Sequence, residues 1–211
     1  MQAIALLHLL QLASPSLPIG AYSYSQGLES AIECAAVKDE ASARGWIAAH
    51  LQHVVARFEA PLLWRLLLAF AARDAETVRD WSEKFVASRD SAEFRAETIQ
   101  MGYSLGKLVQ DLGIADASLL AILRSVAELP LPSAMACAAV ALQVPPSEAL
   151  LGSVFSWAEN QVLVCVKSVP LGQVALEREK ERTLRIALIE LREAIDAYKK
   201  AADSGRIERS F

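Results

Sequence analysis

Apolar side chains recur at helical spacing along most of this 211-residue chain. Residues 39–58 show the pattern clearly, because their apolar positions follow one another at steps of one, three or four: Trp46, Ile47, Leu51, Val54, Val55 and Phe58. A helix with one apolar face has to bury that face against other elements. We therefore expect an all-α protein, with residues 1–211 folded as a single domain of about ten stacked helices.

Proline and glycine divide the first part of the chain. Residues 3–12 are predicted to form a short apolar helix, followed by a loop that contains Pro15, Pro18 and Gly20. Helix is expected to resume over residues 22–36. The loop therefore separates two predicted helices.

Capping signals place the central helices. Pro61 is expected in the first turn of one helix, and Asp74 as the N-cap of the next. Asp90 and Glu93 form a capping-box pattern at the start of a third helix, and Gly113 follows its predicted end.

Three further features concern packing. Gly102 and Gly106 lie one turn apart, so another helix can approach that face closely. Residues 148–168 include β-branched residues that also suit a strand, but no Gly or Pro interrupts the stretch from Ser153 onward, and we predict one long buried helix. Residues 174–202 are predicted to form the last helix, with a heptad seam of Leu184, Leu188, Leu191, Ile195 and Tyr198.

Charge and hydropathy limit the classes of partner. The formal net charge is -4 and the bases are scattered, so no basic stripe is available for nucleic acid. The first 28 residues are uncharged but lack a basic start, which disfavours a signal peptide. Prolines confine any helix in residues 129–147 to about twelve residues, too short to span a membrane. We expect a cytoplasmic protein without a membrane partner.

The three cysteines are far apart in sequence and form no C-x-x-C motif. Each has apolar neighbours, so Cys34, Cys137 and Cys165 are all expected to be buried thiols in a reducing compartment.

The sequence contains no complete catalytic constellation. It has neither a G-x-x-x-x-G-K-[ST] phosphate loop nor a G-x-S-x-G nucleophile elbow. His50 and His53 have i,i+3 spacing, which could hold a metal ion, but no third ligand is evident and structural or surface roles are favoured. We predict no catalytic, cofactor or metal residues, and a binding protein rather than an enzyme.

Residues 14–30, SPSLPIGAYSYSQGLES, differ from the helical remainder because they combine Pro, Gly, Ser and Tyr without a Lys or Arg. These residues could simply shape a loop, with Gly27 capping a turn. If helical, Tyr22 and Tyr24 would lie about 200° apart, so both cannot face one core. At least one tyrosine is then expected at the surface, where amphipathic aromatic side chains favour interfaces.

Three separated segments together resemble the UreF family of urease accessory proteins. They are LLQLASPSLPIGAYSYSQGLESAIE near the start, SRDSAEFRAETIQMGYSLGKL in the centre and WAENQVLVCVKSVPLGQ later in the chain. Their order and separation also fit the family. The end, KKAADSGRIERSF, departs from the family's usual tail, although Arg206 and Arg209 could replace the arginines of that tail.

The resemblance implies an all-α protein that acts without a cofactor. Such a protein joins a UreD/UreH-type accessory protein and recruits the nickel-carrying UreG-type GTPase to apo-urease, with a possible effect on GTP hydrolysis. Together with an apolar content of 54%, it also predicts a homodimer. The residues to which the resemblance assigns partner binding are Pro18, Gly20, Tyr22, Ser25, Gly27, Glu29, Gln173 and Arg206.

A second hypothesis from a different class is a small-molecule-binding or catalytic helical bundle. Its pocket would lie near the N-terminal tyrosines and would need polar groups that converge in an apolar cavity. The sequence shows no such set, so the adaptor hypothesis is preferred.

Overall fold

A computed structural model of the chain describes residues 2–20 and 24–168. Within these ranges the secondary structure is helical, without a strand, which confirms the predicted all-α class. The helices are α1 (Ala3–Leu12), α2 (Leu28–Glu33), α3 (Glu40–His50), a π-helical segment (Leu51–Glu59), α4 (Ala60–Ala72), α5 (Ala75–Ala87), α6 (Ala92–Asp111), α7 (Ala117–Arg124), α8 (Leu131–Ala141) and α9 (Pro146–Ser168). The helix predicted over residues 174–202 lies outside the described residues.

The described residues divide into two compact units. Unit 1 comprises residues 2–20, 24 and 62–153, and unit 2 comprises residues 25–61 and 154–168. The single domain expected over residues 1–211 stays a prediction.

The core of unit 1 contains the apolar face of α4 and a helix of small residues, α8. Leu66, Leu67 and Phe70 of α4 have no exposed surface, and neither has Ala134 or Cys137 of α8. Because its buried side chains are small, α8 can lie close to its neighbours, and α6 packs against it.

A close approach is found at Gly102 and Gly106, as predicted, but the nearest atoms belong to the residues before α8 and not to the helix that was expected. A Cβ atom on Gly102 would overlap the carbonyl oxygen of Leu129 and lie 2.6 Å from the carbonyl carbon of Pro130. A Cβ atom on Gly106 would lie 2.8 Å from a methyl group of Leu129. The two glycines therefore admit the backbone and side chain immediately before α8, rather than the axis of another helix.

Buried hydroxyl groups fix the same region. The Ser82 and Ser133 hydroxyls are 2.7 Å apart and both side chains are fully buried. The amide of Leu131 donates to Oγ1 of Thr98 at 3.2 Å. Since a buried hydroxyl without a partner is costly, these pairs define how α5, α6 and α8 align.

Helix α1 matches its predicted bounds. Nδ1 of His8 lies 2.9 Å from the carbonyl oxygen of Leu142, and Gly152 admits the side chain of Leu9. The opposite side of α1 remains apolar and exposed, with Ile4, Leu6, Leu7 and Leu10 each more than two-fifths accessible.

The capping predictions are correct at two positions and wrong at one. Asp74 caps α5 by accepting a hydrogen bond from the amide of Thr77, and Gly113 follows α6 with φ of +62°. The N-cap of α6 is Ser91, however, whose hydroxyl accepts from the amide of Phe94 at 3.2 Å. The helix begins one residue later than the Asp90 pattern implied, because Ser91 has the extended backbone that a cap requires.

Pro61 lies in the first turn of α4, as predicted, but no break precedes it. The π-helical segment continues α3 directly into α4, and the amide of Ala60 donates to the carbonyl of Val55, five residues earlier. A proline ring inside a regular α-helix collides with the carbonyl four residues before it. The wider π turns before Pro61 relieve that collision.

Sequence reasoning missed α7. Its N-cap is Asp116, which accepts from the amide of Leu119 at 2.8 Å and also pairs with the guanidinium of Arg73 at 2.6 Å. These contacts lower the pKa of the Asp116 carboxyl group, the bond from the Leu119 amide being the main cause.

Unit 2 has an apolar cluster of its own. Leu28 and Ala31 of α2, Ile47 of α3 and Val162 and Cys165 of α9 are buried in it. Asp39 caps α3 in a reciprocal capping box with Ser42. The cluster fixes the position of α2 against α3 and the second half of α9.

The helix expected over residues 22–36 is wrong in extent, because α2 covers only residues 28–33. Before it, Gln26 and Gly27 have φ of +52° and +87°. After it, Ala35 has φ of +57°. A left-handed backbone cannot continue a right-handed helix, so these residues limit α2 to six residues.

The long helix predicted over residues 148–168 is confirmed as α9. By length and composition alone it could cross a membrane, but 56% of its most apolar window is buried inside the protein, as in a core helix.

The replacement Gly102→Ala is expected to lower the free energy of unfolding by roughly 1–3 kcal/mol, because the added methyl group overlaps the backbone before α8. Gly45→Ala is the matched control. Gly45 is a helical glycine of α3 with no atom within 4 Å of an added Cβ, so its replacement should stabilise by roughly 0.5–1 kcal/mol. Urea denaturation measures both variants, and an equal change in the two would contradict the close approach.

Candidate partner-binding segment

The structure describes five of the eight predicted partner-binding residues. Pro18 and Gly20 belong to unit 1, and residues 25, 27 and 29 belong to unit 2. Tyr22, Gln173 and Arg206 lie outside the described residues. Only Ser25, Gly27 and Glu29 are therefore brought together in one described segment.

The loop after α1 is built from tight turns. The amide of Leu17 donates to the carbonyl of Ser14 at 3.0 Å, and the amide of Ile19 donates to that of Leu17 at 2.8 Å. Ile19 is buried, whereas Pro18 and Gly20 on either side of it are exposed. Ile19 thus anchors the loop and leaves its two candidate residues at the surface.

The 25–29 segment, from Ser25 to Glu29, forms the entry to α2. Within the segment, Ser25 accepts two hydrogen bonds: its carbonyl from the amide of Leu28 at 3.2 Å, and its hydroxyl from the amide of Glu29 at 3.3 Å. Gly27 is the N-cap residue of α2 and supplies the left-handed backbone that this entry needs. The carboxylate of Glu29 is exposed in the first turn, where the helix dipole favours a negative charge.

Two side chains of α9 hold this segment. The indole Nε1 of Trp157 donates to Oε1 of Gln26 at 2.6 Å. One turn further along α9, Nε2 of Gln161 donates to the carbonyl oxygen of Ser25 at 3.4 Å. Leu28, the residue after Gly27, is fully buried in the apolar cluster of unit 2. The segment is therefore fixed through its backbone, one polar side chain and one apolar side chain.

Aromatic side chains brace Trp157. The imidazole of His50 stacks on the indole of Trp157, with ring centroids 5.7 Å apart and an angle of 26° between the planes. The ring of Trp46 also lies near His50, with ring centroids 6.1 Å apart and an angle of 34° between the planes. His50 thus has a packing role, while His53 is exposed on the π-helical segment.

The residues that sequence reasoning missed are Trp157 and Gln161. They lie four residues apart on a helix that was predicted correctly, inside the stretch WAENQ of the third resembling segment. The i,i+4 spacing of an indole and a carboxamide indicates that both face one side of a helix. That spacing could have been noticed, but it does not reveal which distant segment they contact.

No group of three or more His, Cys, Asp or Glu side chains in residues 2–20 and 24–168 is arranged to hold a metal ion. A cleft of about 300 Å³ in unit 1 is lined by the charged residues Arg79, Glu83, Arg95 and Glu128 and by four apolar residues. None of the described residues 14–20 and 24–30 lines it. The 25–29 segment instead presents an exposed carboxylate on a fixed backbone, which suits contact with another protein.

The cysteine prediction is correct for two residues and wrong for one. Cys137 and Cys165 are buried, and burial raises the pKa of their thiols to about 12 and about 11. Cys34 is exposed at the end of α2, with its Sγ 3.5 Å from the carbonyl oxygen of Ala31. Cys34 is the C-cap residue of α2, directly after the last helical residue, Glu33.

The matches to known proteins all name one family, UreF. The family model described as UreF matches residues 37–179. A urease accessory protein UreF from Janthinobacterium sp. (strain Marseille) is 71% identical over 178 residues, which cover 84% of this chain and 79% of that protein. The UreF protein of Nitrosospira multiformis is 62% identical over 82% of this chain and 76% of its own length. The UreF protein of Cupriavidus metallidurans is 48% identical over 82% of this chain and 74% of its own length.

Thiol labelling provides a direct test of the described cysteine environments. A disulfide reagent such as Ellman's should modify one of the three thiols rapidly in the folded protein, because only Cys34 is exposed. The other two should react after unfolding. Cys34→Ser should abolish the rapid phase, and rapid modification that persists in this variant would contradict the burial of Cys137 and Cys165.

Proposed function

The chain belongs to the UreF family of urease accessory proteins, and from this premise we propose that it is an adaptor for nickel insertion into urease. It joins a UreD/UreH-type accessory protein and recruits a UreG-type GTPase to apo-urease. Nickel is cargo carried by the GTPase, and GTP hydrolysis belongs to that partner. The two buried free thiols agree with a reducing, cytoplasmic location.

The observation that supports this proposal most directly is the fixed 25–29 segment. Its carboxylate, that of Glu29, is exposed, while the adjoining Leu28 is fully buried. A partner that docks on a segment already held in one conformation loses little entropy when it binds. The same segment lies within the first of the three sequence stretches that resemble the family.

A protein that acts as an adaptor needs more than one contact surface, and α1 supports a second. We propose that the apolar side of α1 faces a second copy of this chain in a homodimer. Ile4 and Leu10 are 54% and 60% exposed, and α1 carries no charged residue that would oppose burial. Exposed apolar faces of this kind favour association.

The role of the 25–29 segment is tested with Glu29→Ala, which removes one exposed carboxylate. We expect weaker binding to the UreG-type GTPase, or to its complex with the UreD/UreH-type protein, by about 1 kcal/mol, and a smaller dependence of the association rate on salt. Surface plasmon resonance at two salt concentrations measures both quantities. Tyr22→Ala provides a second variant, with an expected loss of about 1–3 kcal/mol if Tyr22 anchors the partner.

Glu76→Ala is the matched control for Glu29→Ala. Glu76 is an exposed acid in the first turn of α5, so its removal changes net charge and helix-dipole energy in the same way. It should leave the affinity unchanged. Equal affinities for the wild type, Glu29→Ala and Tyr22→Ala would argue against this segment as the partner-binding surface.

The homodimer is tested by multi-angle light scattering over a concentration series. We expect a mass of twice the 22.9 kDa of the chain, and a shift toward the monomer for a Leu7→Glu, Leu10→Glu variant. Both side chains are exposed, so the variant should retain the unfolding temperature of the wild type. A wild-type protein that stays monomeric at all concentrations would refute the dimer.

A further inference from the structure

We propose that Trp157 and Gln161 are positioning residues, which hold the 25–29 segment in the conformation that a protein partner recognises. The inference rests on the proposed function, in which this segment contacts a partner. It adds that the binding conformation is imposed from α9, by two side chains that need not touch the partner.

The backbone of the segment is unusual at Gln26. Its φ of +52° lies in the left-handed region, which residues with a Cβ atom rarely adopt. Gly27, with φ of +87°, accepts this region readily, but Gln26 does not. An interaction from outside the turn would therefore help to keep Gln26 in this conformation.

Trp157 supplies that interaction. Its indole donates to the side-chain oxygen of Gln26 at 2.6 Å, a short distance for a bond between neutral groups. The stacked ring of His50 limits the orientation of the indole. The contact is thus braced from α3 as well as from α9.

Gln161 supplies the second interaction, and its burial shows that the contact is specific. The side chain is only 1% exposed, and it is one of the few polar side chains buried in the described residues. A buried carboxamide is tolerated where it is hydrogen-bonded. Gln161 donates its bond to the carbonyl oxygen of Ser25, immediately before Gln26.

Three replacements of Gln26 separate this role from others. Gln26→Gly removes the acceptor for the indole and also removes the strain of a left-handed backbone. Gln26→Ala removes the acceptor but keeps the Cβ atom and therefore the strain. Gln26→Glu keeps a side-chain oxygen that can accept the bond. Gln143→Gly is the matched control. Gln143 also has a left-handed backbone, with φ of +56°, and it is exposed after α8 in unit 1.

The first readout needs no partner. Proton–nitrogen NMR of the indole groups, with Trp157→Phe used to assign the Trp157 signal, reports hydrogen exchange at Nε1. We expect slow exchange in the wild type and in Gln26→Glu, and exchange at least about tenfold faster in Gln26→Gly and Gln26→Ala. A Trp157 indole that exchanges equally in all variants would overturn the inference.

The second readout is affinity for the UreG-type GTPase, or for its complex with the UreD/UreH-type protein. Gln26→Gly and Gln26→Ala should weaken binding by about threefold to tenfold, as expected for one lost hydrogen bond. Gln26→Glu should restore affinity to within about threefold, and Gln143→Gly should have no effect. Circular dichroism and the unfolding temperature confirm that each variant is folded.

The outcomes distinguish this inference from the proposed function. If Glu29→Ala weakens binding but Gln26→Gly does not, positioning is overturned and the proposed function stands. If Gln26→Glu binds as weakly as Gln26→Gly, the partner contacts Gln26 itself and positioning is also overturned. If neither Glu29→Ala nor Gln26→Gly changes affinity, the proposed role of the segment fails, and the inference that rests on it fails as well.

Discussion

The hydrogen bond between the indole of Trp157 and the carboxamide of Gln26 joins residues 131 positions apart in sequence. The conformation of the proposed partner surface depends on this bond, because the left-handed backbone at Gln26 has no support from local helix geometry. Gln161 adds a bond to the carbonyl of Ser25. Leu28, buried directly after the turn, ties the same segment to the apolar cluster. The surface that we propose for a partner is therefore held in place by α9 and by the apolar cluster of unit 2.

In unit 1 as well, small or polar residues determine where two backbone segments come into contact. Gly102 admits the carbonyl of Leu129, so that α6 lies against the start of α8. The buried Ser82 and Ser133 hydroxyls are hydrogen-bonded to each other across the same region, and the Ser82 hydroxyl also donates to the carbonyl of Val78. Apolar burial provides most of the driving force for folding, but it does not determine alignment. In both units, the alignment of the helices is determined by a few contacts that are either sterically tight or hydrogen-bonded.

Much of the fold could be predicted from the helical spacing of apolar residues and from the positions of Pro, Gly and capping residues. The bounds of α1, the cap at Asp74 and the length of α9 follow from local signals that the structure retains. The extent of α2 could not be predicted, since nothing in a glutamine signals that Gln26 will be left-handed. Its conformation comes from a contact with a helix more than a hundred residues away. The same limit applies to the candidate site. The resemblance proposes Ser25, Gly27 and Glu29, which stay a prediction, whereas the contacts of Trp157 and Gln161 with this segment appear only once the chain is folded.

Hydrogen–deuterium exchange of the protein alone and in complex with the UreG-type GTPase and the UreD/UreH-type protein tests the central claim most directly. The account predicts that backbone amides of residues 24–33 exchange more slowly in the complex, while those of α5, in the other unit, serve as an internal reference. A complex that forms without any change in the exchange of residues 24–33 would contradict the claim that this segment is the surface a partner binds.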